Sequence, residues 1–400
     1  MTSVANVATF DPYDYAFHED PYPTYAWLRE NAPMLHNTDD DFWALSRHED
    51  ITRAVREDGT FSSSMGVSLD PTAWGPNAWR TMSFLAMDPP RQTRLRALVS
   101  RGFTPRRVAD LTPQIERITK RHLDAALESD EFDWIKSFAG KMPMDVISEL
   151  MGIPESDRDE IRRLGDLTVH RKDGVRDVTP EGIDAALTMI GYYSDLVASR
   201  RRTPTDDLTS ALAAAELGKD RLSDEEIISF LFLMMVAGNE TTTKLLGNAV
   251  YWGTRNPDQL MSVLADPTRV TPWVEETLRY DTSSQILARS LLTDLEVGGQ
   301  TAPAGSKVLL LLGSANRDDA VFPDPDRYDL DRDTSRSLSF GGGRHYCLGA
   351  NLARLEATIA LTSFVKQVQS VEIDHAAAVR VHSVNVRGFS SLPMKVQVRR

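Results

Sequence analysis

The chain has 400 residues and a net charge of −13; 41% of its residues are hydrophobic and 26% are charged, as in an ordinary soluble globular protein. The negative charge argues against nucleic acid as the main partner, and a single cysteine excludes an internal disulfide, which fits a reducing cytosol. Residues 1–11 lack the basic start and apolar core of a signal peptide, and the most apolar run, Ile227 to Gly238, is too short to cross a bilayer. We therefore expect a cytoplasmic protein without a membrane anchor.

Hydrophobic periodicity predicts a largely helical N-terminal half with one hairpin at residues 34–46. Residues 58–90 have no periodicity but carry many apolar side chains, so we interpret them as a loop folded over an apolar cavity. A loop simply packed against the core is the alternative. Helices are predicted at 24–31, 48–57, 91–101, 110–128, 140–151, 157–170, 180–201 and 206–216.

The longest predicted helix begins at a capping box, in which Ser223 is followed three residues later by Glu226. The pattern continues to about Arg255, where Asn256-Pro257 ends it. Its middle is apolar nearly all round, so we expect this helix to be buried.

Polar residues interrupt that apolar stretch at Ala237-Gly238-Asn239-Glu240-Thr241-Thr242. A buried carboxylate is costly unless it is paired or hydrated, and a glycine weakens the helix. The hydroxyl of Thr241 can bond back to the carbonyl of Ala237. The turn predicts a widened groove with a proton path, or else a kinked structural helix whose Glu240 reaches water at one edge.

After residue 285 the pattern changes to short strands at 295–299 and 307–312, a proline-rich segment follows at 322–325, and an alternating pattern returns near 394–398. The only cysteine, Cys347, lies where three glycines meet a predicted helix that begins near Leu348. Exposed amides and the helix dipole favour a thiolate there. Glycines let the backbone approach a large flat cofactor whose metal needs one soft anionic ligand. An inert cysteine in a simple turn is the alternative, and a zinc site would need more ligands than His345.

The cysteine segment resembles the FGxGxHxCxG signature of the cytochrome P450 haem-thiolate monooxygenases. Further motifs follow the family's order, and the resemblance extends from about Asp20 to Met394. It implies a mainly α cytochrome P450 fold in one domain spanning residues 1–400, with small peripheral β-sheets. Haem b would lie between the long central helix and the cysteine loop. The signature matches at Phe340, Gly341, Gly343, His345, Cys347 and Gly349.

The resemblance also implies a role for each matching residue. Cys347 would ligate the haem iron in a loop formed with Phe340, Gly341 and Gly349. Ala237 and Gly238 would make room for O2, while Glu240 and Thr241 would deliver protons during its activation. The cations for the haem propionates would be Arg96, Arg289 and His345. Gln92 stands where the family usually has a histidine, and its amide can donate a hydrogen bond but no charge.

Glu276 and Arg279, three residues apart on a helix, are in isolation a weak surface pair. They resemble the family's ExxR motif, which implies a buried structural pair joined by Arg327. By the same resemblance, the substrate pocket is lined by Gly66–Met87, by the helices of 157–201, by Ser283–Leu287 and by Phe389–Leu392, and the charged linker Arg171–Asp177 is the hinge of a lid. The pocket side chains would be Trp79, Phe84, Leu85, Ile286 and Phe389.

The expected function is hydroxylation of an apolar small molecule with O2 and electrons from a ferredoxin and ferredoxin reductase chain. A fatty acid, terpenoid, steroid or polyketide would each suit the apolar loop. A peroxygenase driven by H2O2 and a non-catalytic haem- or ligand-binding protein are the alternatives, although the Glu240–Thr241 pair argues against the peroxygenase. Arginines near Cys347 predict a positive docking face for the electron carrier: Arg94, Arg101, Arg344 and Arg354.

Overall fold

Helices form most of the regular structure in the computed structural model, which describes residues 10–169, 171–172, 175–217 and 220–399, leaving aside the side chains of Arg101 and Leu217. Each helix predicted between residues 24 and 216 is present, with ends shifted by a few residues. Residue 170, the predicted end of the 157–170 helix, lies outside the described residues. In chain order the α-helices are α1 (Tyr15–Glu19), α2 (Tyr22–Asn31), α3 (His48–Ala54), α4 (Trp79–Met82), α5 (Arg91–Val99), α6 (Pro105–Asp110), α7 (Thr112–Ala126), α8 (Met142–Met151), α9 (Glu155–Val169), α10 (Pro180–Arg202), α11 (Leu208–Ala214), α12 (Asp224–Arg255), α13 (Pro257–Ala265), α14 (Val270–Tyr280), α15 (Leu312–Ala315) and α16 (Ala350–Gln367).

The central helix α12 begins where the sequence predicts, because its N-terminal cap is formed by residues that are close together in the sequence. The hydroxyl of Ser223 accepts from the amide of Glu226, and the carboxylate of Glu226 accepts from the amide of Ser223. Its 32 residues give a length of about 48 Å, and most of its middle is buried. No helix within the described residues is both long and apolar enough to span a membrane.

Small sheets lie at the periphery, as predicted. The largest has the strand order β1 (Met34–Asn37), β2 (Phe42–Leu45), β10 (Lys307–Leu311), β7 (Ile286–Leu291) and β3 (Phe61–Ser62). In it, β10 runs parallel to β2 and antiparallel to β7. The predicted hairpin at 34–46 is β1 with β2, and Met34 lies opposite Leu45. The strands are β1 (Met34–Asn37), β2 (Phe42–Leu45), β3 (Phe61–Ser62), β4 (Glu131–Asp133), β5 (Glu216–Leu217), β6 (Asp220–Arg221), β7 (Ile286–Leu291), β8 (Leu295–Val297), β9 (Gln300–Ala302), β10 (Lys307–Leu311), β11 (Val368–Ile373), β12 (Val379–Arg380), β13 (Phe389–Ser391) and β14 (Pro393–Val398).

The segment predicted as a long loop contains short structured pieces. Residues 58–90 include strand β3, helix α4 and two turns of 3-10 helix, Pro71–Ala73 and Ser83–Ala86. These pieces are too short to produce a recognisable hydrophobic periodicity in the sequence, which is why the sequence predicts only a loop. Their apolar side chains pack inward, since Phe84 and Met87 belong to the main core.

Two apolar clusters support the fold. The larger one surrounds α12 and includes side chains from α7, α8, α10 and α16, whereas the smaller one lies between the five-stranded sheet and the N-terminal helices. The cysteine loop bridges them. Gly342 abuts Val55 of the smaller cluster, while Phe340 and Leu348 pack against the larger one. The loop is therefore held on both sides by packed side chains.

Candidate active site

The backbone of the cysteine loop turns tightly enough to require glycine at two positions. Gly341 and Gly343 have φ angles of +67° and +59°, which L side chains rarely adopt. At Gly343 a Cβ atom would also lie 2.1 Å from the carbonyl oxygen of Val55. The amide of Cys347 donates to the carbonyl of Phe340 at 3.0 Å and closes the turn.

Cys347 faces an interior space. Its side chain is exposed, yet desolvation raises the pKa of its thiol, and both facts fit a sulfur that borders a cavity enclosed by protein. The amides of Gly349 and Ala350 and the charge of Arg96 act in the opposite direction, but burial outweighs them. The amides of the turn thus act in the predicted direction, but they do not by themselves make the thiolate the favoured form. A metal cation at the sulfur would deprotonate it.

Three donor side chains lie close to one another near Cys347, and none of them pairs with a carboxylate among the described residues. Arg96 and His345 each have a buried nitrogen, Nη1 and Nδ1 respectively, without a hydrogen-bond partner there. Burial lowers the pKa of Arg289 to about 10. Burial and then repulsion from the two arginines lower the pKa of His345 to about 3. Donors in this state fit a ligand with carboxylate groups, such as the propionates of haem.

Gln92 supports the cysteine loop. Its buried amide donates to the carbonyl of Arg344 at 2.9 Å, and Arg96, one turn later on α5, donates to the carbonyl of Tyr346 at 2.7 Å. Two hydrogen bonds thus join α5 to the backbone on either side of His345. The contact predicted between Gln92 and a propionate stays a prediction.

Ala237 and Thr241 open onto interior space in the middle of the buried helix α12. Ala237 is exposed and Thr241 half-buried, whereas Asn239 and Glu240 between them are buried. The hydroxyl of Thr241 donates to the carbonyl of Ala237 at 2.8 Å, which confirms the predicted hydrogen bond. The helix continues without a break through this turn.

The space at Gly238 is used by another helix. A Cβ atom there would lie 3.3 Å from Cδ1 of Ile147 on α8, which is tighter than an ordinary contact. The missing side chain therefore lets α8 pack closely against α12. The predicted role of Ala237 and Gly238 in making room for O2 stays a prediction.

Glu240 belongs to a cluster of three charged side chains that we call the acid cluster: Asp166, Glu240 and Lys244. The ammonium of Lys244 lies 2.9 Å from a carboxylate oxygen of Glu240 and 3.3 Å from the carbonyl oxygen of Phe389. The carboxyl of Asp166 on α9 is within hydrogen-bonding range of Glu240. The i, i+4 spacing of Glu240 and Lys244 could have been found in the sequence, whereas Asp166 comes from a distant helix.

The pair Glu276–Arg279 is fully buried and forms two hydrogen bonds, at 2.8 and 2.6 Å. The second arginine beside Glu276 is Arg332, at 3.5 Å, and its side chain is 9% exposed. Arg327, which the sequence predicted for this place, is 66% exposed, and its nearest carboxylate is Asp329 at 3.9 Å. The prediction for Arg327 was wrong because only its backbone carbonyl turns inward, where it accepts from Arg279.

Trp79, Phe84 and Phe389, three of the predicted pocket residues, contact α12 on the two sides of the acid cluster. The ring of Phe84 lies 6.1 Å from that of Phe230, and Leu85 is half-buried beside it. The carbonyl of Trp79 accepts from Ser229 in the same region, and the guanidinium of Arg91 lies 4.1 Å from the Trp79 ring centre.

Phe389 packs at the other end of this stretch. Its ring lies 4.6 Å from that of Tyr251 and against the backbone of Gly247. Phe230 and Gly247 are each about 10 Å along the helix from the turn at Ala237 and Thr241. A pocket over that turn could therefore be bounded by Phe84 on one side and Phe389 on the other.

Ile286 does not face this region. Side chains alternate along β7, so Leu287 and Arg289 share one face while Ile286 points to the other. There Ile286 packs in the smaller core and borders a cleft with Phe17 and Tyr25. The sequence did not predict strand β7, so the face of Ile286 was assigned incorrectly, and Leu287 replaces it as the pocket candidate.

The predicted positive docking face is largely neutralised by acidic partners. Arg94 pairs with Asp220 at 2.6 Å, and it also pairs with Glu226. Arg354 pairs with Glu275 at 2.6 Å. Arg344 forms an ion pair with Asp58, and the side chain of Arg101 lies outside the described residues. The structure therefore does not support the predicted positive docking face for an electron carrier, because Arg94, Arg344 and Arg354 are paired with acidic side chains.

The described part of the linker 171–177 is attached to the 58–90 segment. Arg171 forms two hydrogen bonds with Asp70, at 3.0 and 2.9 Å, and both side chains are buried. The hydroxyl of Thr72 donates to Asp177 at 2.6 Å. Residues 173 and 174 lie outside the described residues, and the hinge stays a prediction.

Comparison with known proteins decides the family. The cytochrome P450 family pattern matches residues 185–397. Cytochrome P450 123 of Mycobacterium tuberculosis is 55% identical over 97% of both chains. The chain belongs to the cytochrome P450 family. It is also 37% identical to the vitamin D(3) 25-hydroxylase of Pseudonocardia autotrophica, over 97% of both chains. The solved structure of CYP109Q5 from Chondromyces apiculatus superposes with a TM-score of 0.89 at 34% identity, covering 98% of this chain and 99% of that one.

Membership in the cytochrome P450 family makes this protein a haem-containing monooxygenase, an oxidoreductase. Members of the family generally take electrons from redox partners and act on apolar substrates with O2. The donor cluster around Cys347 is consistent with that cofactor, because Arg96, Arg289 and His345 lie beside the sulfur and form no ion pair with a carboxylate in the part of the chain that the structure describes.

Proposed function

We propose that this cytochrome P450 hydroxylates an apolar, polycyclic small molecule, using haem b held by Cys347 and electrons from a ferredoxin chain. The observation that carries the proposal is the donor cluster beside the sulfur of Cys347, in which Arg289 is buried and Arg96 and His345 are half-buried with one buried nitrogen each that lacks a hydrogen-bond partner among the described residues. Cys347 would bind the iron, and Arg96, Arg289 and His345 would hold the propionates. When bound, haem supplies the activation of O2 and the transfer of one oxygen atom to a C–H bond.

The chain's own residues would orient the reactants and move protons. Ala237 leaves space on α12, and the hydroxyl of Thr241, held by the carbonyl of Ala237, can pass a proton between that space and Glu240. Glu240 is buried, so bulk water does not compete with it. The Glu276–Arg279–Arg332 network would fix the meander from which the cysteine loop continues.

The substrate class is the finer part of the proposal. Vitamin D(3), which the Pseudonocardia autotrophica relative hydroxylates, is an apolar polycyclic molecule. Phe84 and Phe389 pack against α12 on either side of the turn at Ala237, but both rings are buried and do not distinguish one apolar substrate from another. The preference for a steroid-like or terpenoid substrate over a flexible fatty acid therefore comes from this relative alone.

Replacing the sulfur tests the ligand assignment. Cys347→Ser should abolish the red-shifted ferrous–CO band that a thiolate ligand produces, while the native protein shows it. Retention of that band in the variant would disprove the role of Cys347.

Turnover tests the reaction. Steroids and terpenoids that shift the spin state of the haem should be converted with O2 and a ferredoxin system, and conversion with H2O2 alone should be much slower. Equal conversion with H2O2 alone would favour a peroxygenase, and a thiolate spectrum without any product would favour a binding protein.

A further inference from the structure

Asp166 occupies an unusual position for a carboxyl group. It lies on α9, which packs against α8, α10 and α12, and its carboxyl is within hydrogen-bonding range of Glu240 in the acid cluster. Asp166 carries exposed surface, whereas Glu240 and Lys244 are buried. Within the acid cluster, Asp166 is therefore the member that water can reach.

The charges of the acid cluster do not balance if both carboxyls are ionised. Two carboxylates and one ammonium leave an excess negative charge in poorly solvated surroundings, so one proton stays with the pair. Burial, followed by repulsion from Glu240, raises the pKa of Asp166 to about 7. Burial also acts to raise the pKa of Glu240, but Lys244 and the hydrogen bond with Asp166 outweigh it and lower that pKa. The shared proton thus rests on Asp166 near neutral pH.

Two cations partly offset the rise in the pKa of Asp166. Lys244 on α12 and Arg162 on α9 both lower the pKa of Asp166, but less than burial and Glu240 raise it. Arg162 is itself engaged by Asp159, at 3.1 Å. The charged groups with the largest effect on the pKa of Asp166 therefore lie on α9 and α12. Together with burial they place that pKa near neutral pH, so Asp166 can both gain and lose a proton.

We propose that Asp166 supplies Glu240 with the protons that the reaction consumes, so that the relay begins on α9. One proton moves from the carboxyl of Asp166 to a carboxylate oxygen of Glu240, and Glu240 then passes that proton toward Thr241 and returns to the carboxylate. Water then reprotonates Asp166, and no electrons move in these steps. Asp166 acts through Glu240 and not on the cofactor. This inference rests on the proposed oxygen chemistry, which consumes protons.

Infrared spectroscopy of the resting holoenzyme tests the proton's location without turnover. A protonated carboxyl has a C=O stretch well separated from that of a carboxylate, and one such band should disappear as the pH rises through about 7. The band should be absent from Asp166→Asn and present in the matched control Glu160→Gln, which removes an exposed acid of the same helix that pairs with Arg163 and not with Arg162. Glu356, whose pKa burial also raises, gives a second band that Asp166→Asn leaves in place. A band titrating near pH 7 that persists in Asp166→Asn overturns the proposal.

Turnover then tests the role. In the native enzyme, the share of electrons that ends in product should fall as the pH rises through about 7, because Asp166 loses its proton. Asp166→Asn should have about tenfold lower coupling at every pH, Asp166→Glu should restore much of it, and Glu160→Gln should match the native enzyme. Native coupling and a native pH profile in Asp166→Asn overturn the proposal.

The two proposals fail in different ways. If the native protein gives neither a thiolate-type ferrous–CO band nor product, the proposed function fails, while the infrared titration still decides whether Asp166 holds the proton. If Asp166→Asn does not fold, the native holoenzyme and Asp166→Glu remain informative. The absence of any carboxyl that titrates near pH 7 in them overturns the proposal.

Discussion

The choice of Arg332 over Arg327 as the partner of Glu276 can be tested by removing each arginine in turn. The guanidinium of Arg332 donates to the carbonyls of Pro323, Asp324 and Arg327, and its Nε lies 3.5 Å from Glu276. Water can reach these carbonyls, so each lost hydrogen bond should cost about 0.5–1 kcal/mol. Leaving the buried Glu276 with one cation fewer adds about 1 kcal/mol. Arg332→Ala should therefore lower the free energy of unfolding by about 3 kcal/mol.

Arg327→Ala is the matched comparison. Its side chain is 66% exposed and lies 3.9 Å from Asp329, so its removal should cost less than about 1 kcal/mol. Urea unfolding of each holoprotein, with haem in fixed excess and followed by the Soret band and far-UV circular dichroism, measures the difference. Arg332→Lys should lie between the two, since it keeps the charge and loses the forked donors. Equal midpoints for the two alanine variants, or a larger loss for Arg327→Ala, would refute this account of the network.

Three further substitutions probe the site. Thr241→Ala should keep haem and raise the share of electrons lost as peroxide about tenfold, measured as peroxide formed per NADPH consumed; undiminished coupling would contradict the relay. Gln92→His should change the haem dissociation rate less than about tenfold, because Arg96, Arg289 and His345 already supply donors. Glu356 has its pKa raised by burial, so its contribution to stability is present below the ordinary glutamate pKa and is lost as the pH rises toward the raised value. Glu356→Gln should leave the urea midpoint unchanged near pH 4 and raise it above the native value at pH 8.

Features that depend on nearby residues were predictable. The start of α12 follows from the reciprocal hydrogen bonds of Ser223 and Glu226, three residues apart, and the bond from Thr241 to Ala237 spans one turn of helix. The glycine turn before Cys347 is likewise encoded in consecutive residues.

Features that depend on contacts between distant segments were not predictable. The path of the meander decides that Arg332 and not Arg327 turns toward Glu276. Strand register decides that Leu287 and not Ile286 shares the face of Arg289. Asp166 is 74 positions before Glu240 in the sequence, and only the packing of α9 on α12 brings their carboxyls together.

The position of Cys347 makes cofactor loading directly countable. The sequence has no other thiol, and this sulfur borders the interior space in which the haem would be held. A small maleimide or a disulfide reagent that enters this space should modify one site per apoprotein chain, whereas iron coordination should protect that site. The fraction of chains labelled in a preparation then equals the fraction without haem, with no background from other cysteines to subtract.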